Sequence, residues 1–303
     1  MTLNQLIYVI TLSKENSINE AAKKLYVSQP SLTVALKNLE EEIGFDIFTR
    51  SKSGISITVK GNEFLGYAKS VIEQYNLLDA KYISGEKVKR SFHVSMQHYT
   101  FAVNAFVKIV NQYGMDEYEF EIHETKTYDV IDNVKNQKSE LGVIYENDYN
   151  KVVLGKILSD AGLEFIPLFD CNIYVYMSKG NPLAEKKIIK LEELEDYPCL
   201  AFAQGDHNSF YFAEEVLSTY NYKRLVRAND RATLLNLMVG INGYTLCSGI
   251  ICEDLNGTDY CAVKLDTDEK MTIGYIKRKS SVLSEIGKQY IEELGRYKEK
   301  VLE

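Results

Sequence analysis

Three short segments at the start of the chain carry apolar residues at helical spacing. They cover about residues 2–14, 17–25 and 28–44, and each begins with a serine or threonine that can cap a helix. Pro30 is compatible with the third segment because the first N–H groups of a helix have no partner within it. Gly44 is typical of a helix end. The pattern predicts three helices with short connections, of which the second and third form a helix-turn-helix.

Two short β-like segments follow in residues 45–61, which read FDIFTRSKSGISITVKG. A turn at Ser53–Gly54 joins them, and they carry the basic residues Arg50, Lys52 and Lys60. A basic hairpin after a helix-turn-helix is typical of a winged helix-turn-helix domain. In such a domain the recognition helix enters the major groove and the wing contacts the DNA backbone.

Residues 60–84 lack proline and repeat apolar residues at steps of four and three. The repeating positions are Phe64, Ala68, Val71, Tyr75, Leu78 and Tyr82. One such stripe is compatible with packing on its own domain. After a DNA-binding head, this heptad pattern favours a long linker helix that pairs two copies of the chain. Gly85 with the basic residues that follow predicts an exposed boundary.

From Ser91 onward, strand-like and helical patterns alternate. The order predicts an open, mostly parallel sheet, an extended stretch over residues 163–185, a helix over 210–220 and a final helix over 282–298. We expect two α/β subdomains joined by two crossing strands, with hinges at Ile166–Pro167 and at about residues 265–271.

Composition narrows the class of protein. No apolar run approaches the roughly 20 residues of a membrane span, and the N-terminus is unlike a secretory signal, so we expect a cytoplasmic protein. The five cysteines form no CxxC pair and are expected to be buried thiols. The net charge is −8, but residues 1–62 carry +1 and the remainder −9. A contact with a polyanion is therefore favoured only at the head.

The outer face of the predicted recognition helix carries short polar groups, and no acidic residue precedes Glu40. Short hydroxyls and an amide can reach base edges and phosphates, whereas carboxylates would be repelled. An ordinary solvated helix face is the alternative interpretation. With the wing and Thr58 after it, the predicted DNA-contacting residues are Ser28, Gln29, Pro30, Ser31, Thr33, Val34, Lys37, Arg50, Lys52 and Thr58.

These motifs together resemble LysR-type transcriptional regulators. The resemblance lies in AAKKLYVSQPSLT (21–33), LEEEIGFDIFTR (39–50) and ITVKG (57–61), in order and without gaps. Family members often have a basic or polar residue where this chain has Val34. The resemblance implies an all-α winged helix-turn-helix head over residues 1–61 and a linker helix with hinge over 62–90. It then implies a two-subdomain α/β effector-binding domain over 91–303, similar to type 2 periplasmic binding proteins.

The predicted effector site lies at the carboxyl ends of strands, where open α/β sheets bind ligands. The first such loop, residues 95–100, precedes a helix whose free N–H groups can hold an anion. The resemblance also implies contacts from the other strand ends and from the loop over 202–210. The predicted effector-binding residues are Ser95, Gln97, His98, Tyr99, Thr100, Tyr145, Phe202, Gln204, Asn208, Ser209, Cys247 and Ser248. Capping and turn chemistry is the alternative for each.

Enzymatic chemistry is not supported by the pattern. His98 lies near Ser95, but no acidic residue is placed to orient its imidazole, and the histidines lack metal-ligand spacing, so neither a metal nor a cofactor is predicted. The predicted partners are double-stranded DNA, a small acid or amino-acid-like effector (an aromatic acid being the alternative), and further copies of the chain as a dimer or homotetramer. RNA polymerase is a further option, and no membrane partner is predicted.

Two other classes of protein stay open at this level. A binding protein or enzyme could use the helical head only for assembly, and it would then show no salt-sensitive DNA affinity and no loss on changing Thr33 or Lys37. A solute-capture protein would need an export signal.

Overall fold

The chain folds into two units, Met1–Lys89 and Arg90–Glu303. They are seen in a computed structural model that describes residues 1–15, 17–51, 54–84, 89–114, 117–207, 209–279 and 281–301.

The first unit is the winged helix-turn-helix head with its long helix. Its elements in order are α1 (Leu3–Leu12), α2 (Ile18–Lys24), α3 (Gln29–Ile43), β1 (Phe48–Ser51), β2 (Gly54–Ile57) and α4 (Val59–Asp79). The predicted caps are present: Thr2 forms a capping box with Gln5, and Ser28 accepts a hydrogen bond from the Ser31 N–H at 3.2 Å. Gly44 ends α3 with a φ of 79°, which favours glycine.

The wing is fixed to the recognition helix by a side chain. Strands β1 and β2 pair in antiparallel fashion. The Glu40 carboxylate on α3 accepts hydrogen bonds from the backbone N–H groups of Ile47 at 2.8 Å and Phe48 at 3.1 Å. Ile47 and Phe48 are themselves buried in the head core. Part of the acidic run at the end of α3 therefore positions the hairpin.

Helix α4 starts tightly against this hairpin. The Thr58 hydroxyl donates to the Asp46 carbonyl at 2.8 Å and accepts from the Gly61 N–H at 2.8 Å. The helix continues as a π-helical turn over Ala80–Ser84. Ala68 is buried, but Leu78 and Tyr82 of the predicted stripe are 58% and 70% exposed within one copy of the chain. The far part of α4 thus presents apolar side chains to solvent.

The second unit contains the two α/β subdomains. The elements up to the first crossing are β3 (Arg90–Met96), α5 (Thr100–Tyr113), β4 (Tyr118–Glu124), α6 (Thr127–Lys135), β5 (Leu141–Glu146), α7 (Lys151–Asp160) and β6 (Leu163–Asn172). The second subdomain has β7 (Tyr174–Ser178), β8 (Ile188–Ile189), β9 (Cys199–Phe202), β10 (Leu225–Ala228), α8 (Arg231–Gly240), β11 (Tyr244–Cys247), α9 (Glu253–Asn256) and β12 (Tyr260–Leu265). The chain returns through β13 (Lys270–Arg278), α10 (Glu285–Gly295) and α11 (Lys298–Val301).

Each subdomain is built on one sheet. The first sheet has the order β4-β3-β5-β13-β6, and the second has the order β10-β9-β11-β7-β12-β8. The parallel core β4-β3-β5 confirms the predicted βαβαβ order. Strand β13 is antiparallel to both its neighbours, and β7 is antiparallel to β11 and β12. The sheets are therefore mixed rather than mostly parallel, because the crossing strands enter them in reverse.

One predicted hinge is misplaced. The chain passes to the second sheet at Ile173, between β6 and β7, rather than at Ile166–Pro167. Proline is tolerated within β6 because β6 is an edge strand, where an absent N–H group breaks no ladder. The register also shifts at Ile273/Gly274, opposite Pro167. The second crossing falls after Leu265, within the predicted range.

The predicted helix over residues 210–220 is wrong. Only a 3₁₀ turn, Phe210–Phe212, forms, and turns follow it. The carbonyls of Phe212 and Glu215 accept hydrogen bonds from Thr127 Oγ1 and Tyr145 Oη instead of continuing a helix. Contacts from the other subdomain override local helix propensity here. The pattern also failed to reveal α7 and β12.

None of the helices within the described ranges is long and apolar enough to cross a membrane.

Candidate functional site

The outer face of α3 is an exposed, mostly uncharged surface. Ser28, Gln29, Pro30 and Ser31 are exposed, and Val34 is 57% exposed, while Thr33 is half-buried. Ser28 Oγ and Ser31 Oγ lie 2.7 Å apart, so the cap also fixes the hydroxyls at the start of the helix. The seven predicted residues from Ser28 to Lys37 therefore lie along one preorganised helix start, with short polar groups from Ser28, Gln29, Ser31 and Thr33.

Lys37 has a partner that it can exchange. Its Nζ lies 3.4 Å from Glu41 Oε1 one turn later on the same helix, with both side chains largely exposed. Exposed pairs of this kind contribute little to stability. The ammonium group can therefore leave Glu41 for a phosphate at small cost.

Three predicted DNA-contacting residues, Arg50, Lys52 and Thr58, lie in or next to the wing. Arg50 lies on β1, but its side chain is outside the described part of the chain, and so is the whole of Lys52. The Thr58 hydroxyl is used inside the head, where it caps α4. A shallow groove beside α3 is lined by residues that the sequence reasoning did not single out, including Asn4, Tyr8 and Asn38.

A cavity of about 90 Å³ lies between the two subdomains. Six predicted effector residues line it: His98, Tyr99, Thr100, Phe202, Cys247 and Ser248. The sequence reasoning missed other lining residues, among them Tyr176, Glu214, Glu215, Arg231, Thr245, Asn256 and Met271. No local motif marked these residues, because they come from separate elements of both subdomains.

Other predicted residues are used beside the cavity rather than in its wall. Ser95 Oγ lies 2.8 Å from Ser139 Oγ, and Gln97 Oε1 accepts from the Tyr145 N–H at 3.1 Å and from the Tyr99 hydroxyl at 2.8 Å. The Tyr145 hydroxyl donates to the Glu215 carbonyl, and the Gln204 side chain bridges Glu214 and the Thr127 N–H. Ser209 caps the 3₁₀ turn. Asn208 lies outside the described residues.

Glu214 connects both subdomains through its carboxylate. Oε2 lies 2.8 Å from the His98 backbone N and 2.8 Å from His98 Nδ1, and Oε1 accepts from Gln204 Nε2 at 2.8 Å. The side chains of His98 and Glu214 are only 5% and 3% exposed, and the imidazole stacks on Phe202 at 3.8 Å. This buried network fixes the loop before α5. The expectation that no acidic residue orients the His98 imidazole is therefore wrong, because Glu214 reaches it from 116 positions later in the chain.

Glu215 is a second buried carboxyl group next to Glu214. Its Oε1 accepts from the Phe202 N–H at 2.9 Å. Burial, reinforced by the neighbouring Glu214 charge, raises the pKa of Glu215 to about 8. Glu215 is therefore largely protonated at neutral pH, and the cavity wall avoids a second full negative charge.

Hydrogen-bonding groups also line the cavity on the side of the second sheet. Asn256 Nδ2 donates to Thr100 Oγ1 at 3.0 Å and to Tyr176 Oη at 3.3 Å. Thr245 faces Tyr176 across the β11–β7 pair and is only 7% exposed. Its hydroxyl has no hydrogen-bond partner among the described residues. A buried hydroxyl without a partner is costly, so this group is available to a bound molecule.

A partly buried ion pair lies beside the cavity. Arg231, at the start of α8, pairs with Glu124 at the end of β4, in the other subdomain. Burial lowers the pKa of Arg231 to about 10, which still leaves it charged at neutral pH. The pair holds the two subdomains together next to the cavity.

The predicted burial of the thiols is confirmed for Cys171, Cys199 and Cys252, whereas Cys247 and Cys261 are half-buried. Burial raises the pKa of Cys171 and of Cys199 to about 12 and that of Cys247, in the cavity wall, to about 11. Within the described ranges, no three His, Cys, Asp or Glu side chains are grouped so that they could hold a metal ion.

Known proteins match both units. Residues 3–62 match the family model of bacterial regulatory helix-turn-helix proteins of the lysR family, and residues 111–298 match the LysR substrate binding domain. The malolactic fermentation system transcriptional activator of Lactococcus lactis is 24% identical, over 98% of this chain and 99% of its own length. An uncharacterized helix-turn-helix transcriptional regulator of Escherichia coli, YbhD, is 20% identical over 95% and 89%.

Solved structures share the fold. A full-length OxyR variant from Pseudomonas aeruginosa has a TM-score of 0.64 at 21% identity and covers 97% of this chain and 98% of its own. Full-length CbnR complexed with its target DNA has a TM-score of 0.52 at 18% identity and covers 98% and 99%.

Proposed function

The chain belongs to the LysR family of bacterial transcriptional regulators, and on that premise we propose that it binds a pseudo-symmetric operator as an oligomer and changes its DNA contacts when a small metabolite binds between its two subdomains. The protein is a DNA-binding regulator with an effector-binding domain and not an enzyme. We place it in the cytoplasm, where such a regulator meets chromosomal DNA.

The observation that carries the DNA-binding part is the exposed outer face of α3. Its first turn is exposed, is capped by Ser28 and carries no acidic residue. The positive end of the helix dipole is therefore not neutralised by a carboxylate of that turn. Short polar groups followed by Lys37 suit the major groove, and Val34 can contact a thymine methyl group. CbnR, which has the same fold, forms a complex with its target DNA.

We expect the variant Thr33→Ala/Lys37→Ala to bind specific DNA at least about thirtyfold more weakly than the natural chain, since two lost contacts at about 1–3 kcal/mol each sum to at least about 2 kcal/mol. Its affinity should also depend less on salt, because Lys37 no longer releases a counterion in either head. Fluorescence anisotropy at two salt concentrations, with DNA from upstream of the protein's own gene, measures both effects.

The matched control is Thr258→Ala/Lys187→Ala, which makes the same two chemical changes at exposed positions of the second unit. It should bind DNA as the natural chain does. If the upstream DNA holds no site, selection from random sequences replaces it. A protein that selects no sequence there has a head that serves only assembly, and the regulator mechanism proposed here is then wrong.

The oligomer is supported by the far part of α4. Val71, Tyr75, Leu78 and Tyr82 recur at heptad spacing and are all at least 40% exposed within one copy of the chain. Pairing this stripe with that of a second copy removes apolar surface from water and brings two heads together on a split operator. A homotetramer would then form from two such dimers.

Charged residues in the stripe should separate the copies. We expect Val71→Glu/Leu78→Glu to shift the protein toward monomers by sedimentation velocity, because two like charges per helix would be buried against two others. The control Asn62→Glu/Asn76→Glu adds the same charge at other exposed positions of α4. If Val71→Glu/Leu78→Glu sediments as the natural chain does, the interface between copies of the chain does not include this stripe.

For the effector we propose a small acid or amino-acid-like metabolite in the cavity between the subdomains. The start of α5 favours negative charge. A loop from each subdomain meets there, and the wall adds hydroxyls from Thr100, Tyr176 and Thr245. Ligand binding at such a junction would bias the closure of the two subdomains and, through α4, the spacing of the heads.

A further inference from the structure

The loop before α5 already holds a carboxylate, that of Glu214. Three donors converge on it, namely the backbone N–H and Nδ1 of His98 and the side-chain amide of Gln204, each at 2.8 Å. A carboxylate only accepts hydrogen bonds, so Nδ1 carries the proton in this arrangement. Three charge-assisted hydrogen bonds, nearly sealed from water, make a strong binding site for one carboxylate.

The donors come from the two loops that face each other across the cavity. His98 follows β3 in the first subdomain, and Gln204 follows β9 in the second. Glu214 itself lies on the irregular segment after the 3₁₀ turn, not on a rigid helix or strand. The carboxylate can therefore be withdrawn by rearranging turns, while the donors stay on the ends of sheet strands.

The same cavity offers a further polar group that the protein does not satisfy. Thr245 Oγ1 is buried and has no partner within the described part of the chain. It lies in the wall with Tyr176, whose side chain is on the same face of the second sheet. A molecule that reached from the Glu214 position toward the second sheet could satisfy this hydroxyl, which Glu214 does not.

A ligand carboxylate could bind beside Glu214 or take its place, and the two arrangements differ in the number of negative charges that the cavity holds. Glu215 is buried beside Glu214, and Arg231, the guanidinium of the wall, is already paired with Glu124. A third carboxyl group would enter a cavity whose described wall holds no unpaired lysine or arginine, which is costly in a buried site. Replacement keeps the number of charges in the cavity unchanged.

We propose that the Glu214 carboxylate is an internal substitute for a ligand carboxylate, and that the effector is a small carboxylic acid that displaces Glu214 from His98 and Gln204. This inference rests on the effector site proposed above. The unliganded cavity is then closed by the protein's own carboxylate. Displacement of Glu214 frees the segment over 213–220, which is how ligand binding would be sensed.

Chemical rescue tests this directly in the full-length chain. Glu214→Ala removes a group equivalent to acetate and leaves the three donors facing a hole. We expect the variant to melt at a lower temperature than the natural chain and to be restored by acetate. A dissociation constant of about 10 mM would give a rise in melting temperature of roughly 4 °C at 100 mM acetate. Acetamide, which has the same shape without the charge, should have a much smaller effect.

The controls separate a specific site from a general salt effect. The natural chain and Glu185→Ala, which removes an exposed carboxylate of the same subdomain, should show no acetate-dependent shift beyond that of equal chloride. Equal shifts in all three proteins, or equal rescue by acetamide, would overturn the proposal and leave Glu214 as a structural contact only.

A second variant keeps the test decisive if the alanine variant does not fold. Glu214→Gln preserves the side-chain volume, but its amide competes less well than a carboxylate for the three donors. Acetate should then stabilise Glu214→Gln more than the natural chain, and the absence of a difference would count against the proposal. DNA affinity of each variant, measured in parallel, reports separately on whether the regulator function itself holds.

Discussion

Replacing Gly61 by alanine is expected to lower the free energy of unfolding of the head strongly, although it adds only one methyl group. A Cβ atom at Gly61 would lie 2.1 Å from the Ile47 carbonyl oxygen and 2.9 Å from its carbonyl carbon. Both atoms belong to the backbone, so no side chain can rotate away. That carbonyl also accepts the Thr58 N–H at 2.9 Å, and a shift would break this bond too.

The variant should lower the free energy of unfolding of the head by more than about 3 kcal/mol, which is the upper end of the destabilisation that overpacking ordinarily causes. For a unit of this size, such a loss lowers the melting temperature of the head by roughly 12 °C or more. Specific DNA binding should fall with it at the growth temperature, because β1 and the start of α4 are held at the same point.

The matched control is Gly155→Ala in α7, where a Cβ atom would meet nothing within 4 Å. Alanine is the better helix former, so this variant should be more stable by about 0.5–1 kcal/mol. Differential scanning calorimetry gives the melting temperature of both variants. A loss for Gly61→Ala beside a gain for Gly155→Ala would show that glycine is needed at residue 61 because a Cβ atom has no room there. A Gly61→Ala head that melts at the natural temperature would show that the start of α4 can move.

Replacing the ionisable carboxyl group of Glu215 is expected to change how the free energy of unfolding depends on pH. Its folded pKa of about 8 lies above the ordinary value of 4.5 for glutamate, because of burial and the neighbouring Glu214. A raised folded pKa means that the contribution of this group is fully present below pH 4.5. It is lost progressively as the pH rises from 4.5 to about 8, where the folded form must also ionise.

Glu215→Gln cannot ionise, and its side-chain carbonyl can still accept the Phe202 N–H. We therefore expect the variant to gain stability relative to the natural chain as the pH rises, by on the order of 3 kcal/mol between pH 5 and pH 9. Urea unfolding at a series of pH values measures the difference. The groups around Glu215 are the same in both proteins, so their contributions largely cancel in the difference.

Glu185→Gln serves as the control, since it makes the same change at an exposed carboxylate and should give a difference that does not vary with pH. A Glu215→Gln difference that is equally flat would mean that Glu215 is ionised throughout this range.

The helix ends and buried faces of the head follow from local sequence. Thr2, Ser17, Ser28 and Gly44 set the helix ends, and each acts within three or four residues of its own position. The apolar stripe of α3 fixes which residues are buried, so the residues on the opposite face can be read directly from the spacing. Local physics of this kind needs no knowledge of distant residues.

The second unit was predictable in its order of strands and helices but not in its crossings. Pro167 suggests a hinge when the sequence is read alone, yet it lies within an edge strand opposite a register shift. Whether a proline breaks a strand depends on which of its sides is paired. That pairing is made with β13, more than 100 residues later in the chain.

The cavity was decided by tertiary structure alone. The strand-end loops could be predicted because parallel strands bring their carboxyl ends together. Glu214 could not, because the hydrogen bonds that place it join residues 116 positions apart and hold the segment after Phe212 out of the helix that its local sequence favours. A short-range pattern specifies helix ends and faces, whereas a buried polar group takes its place only where its distant partners lie.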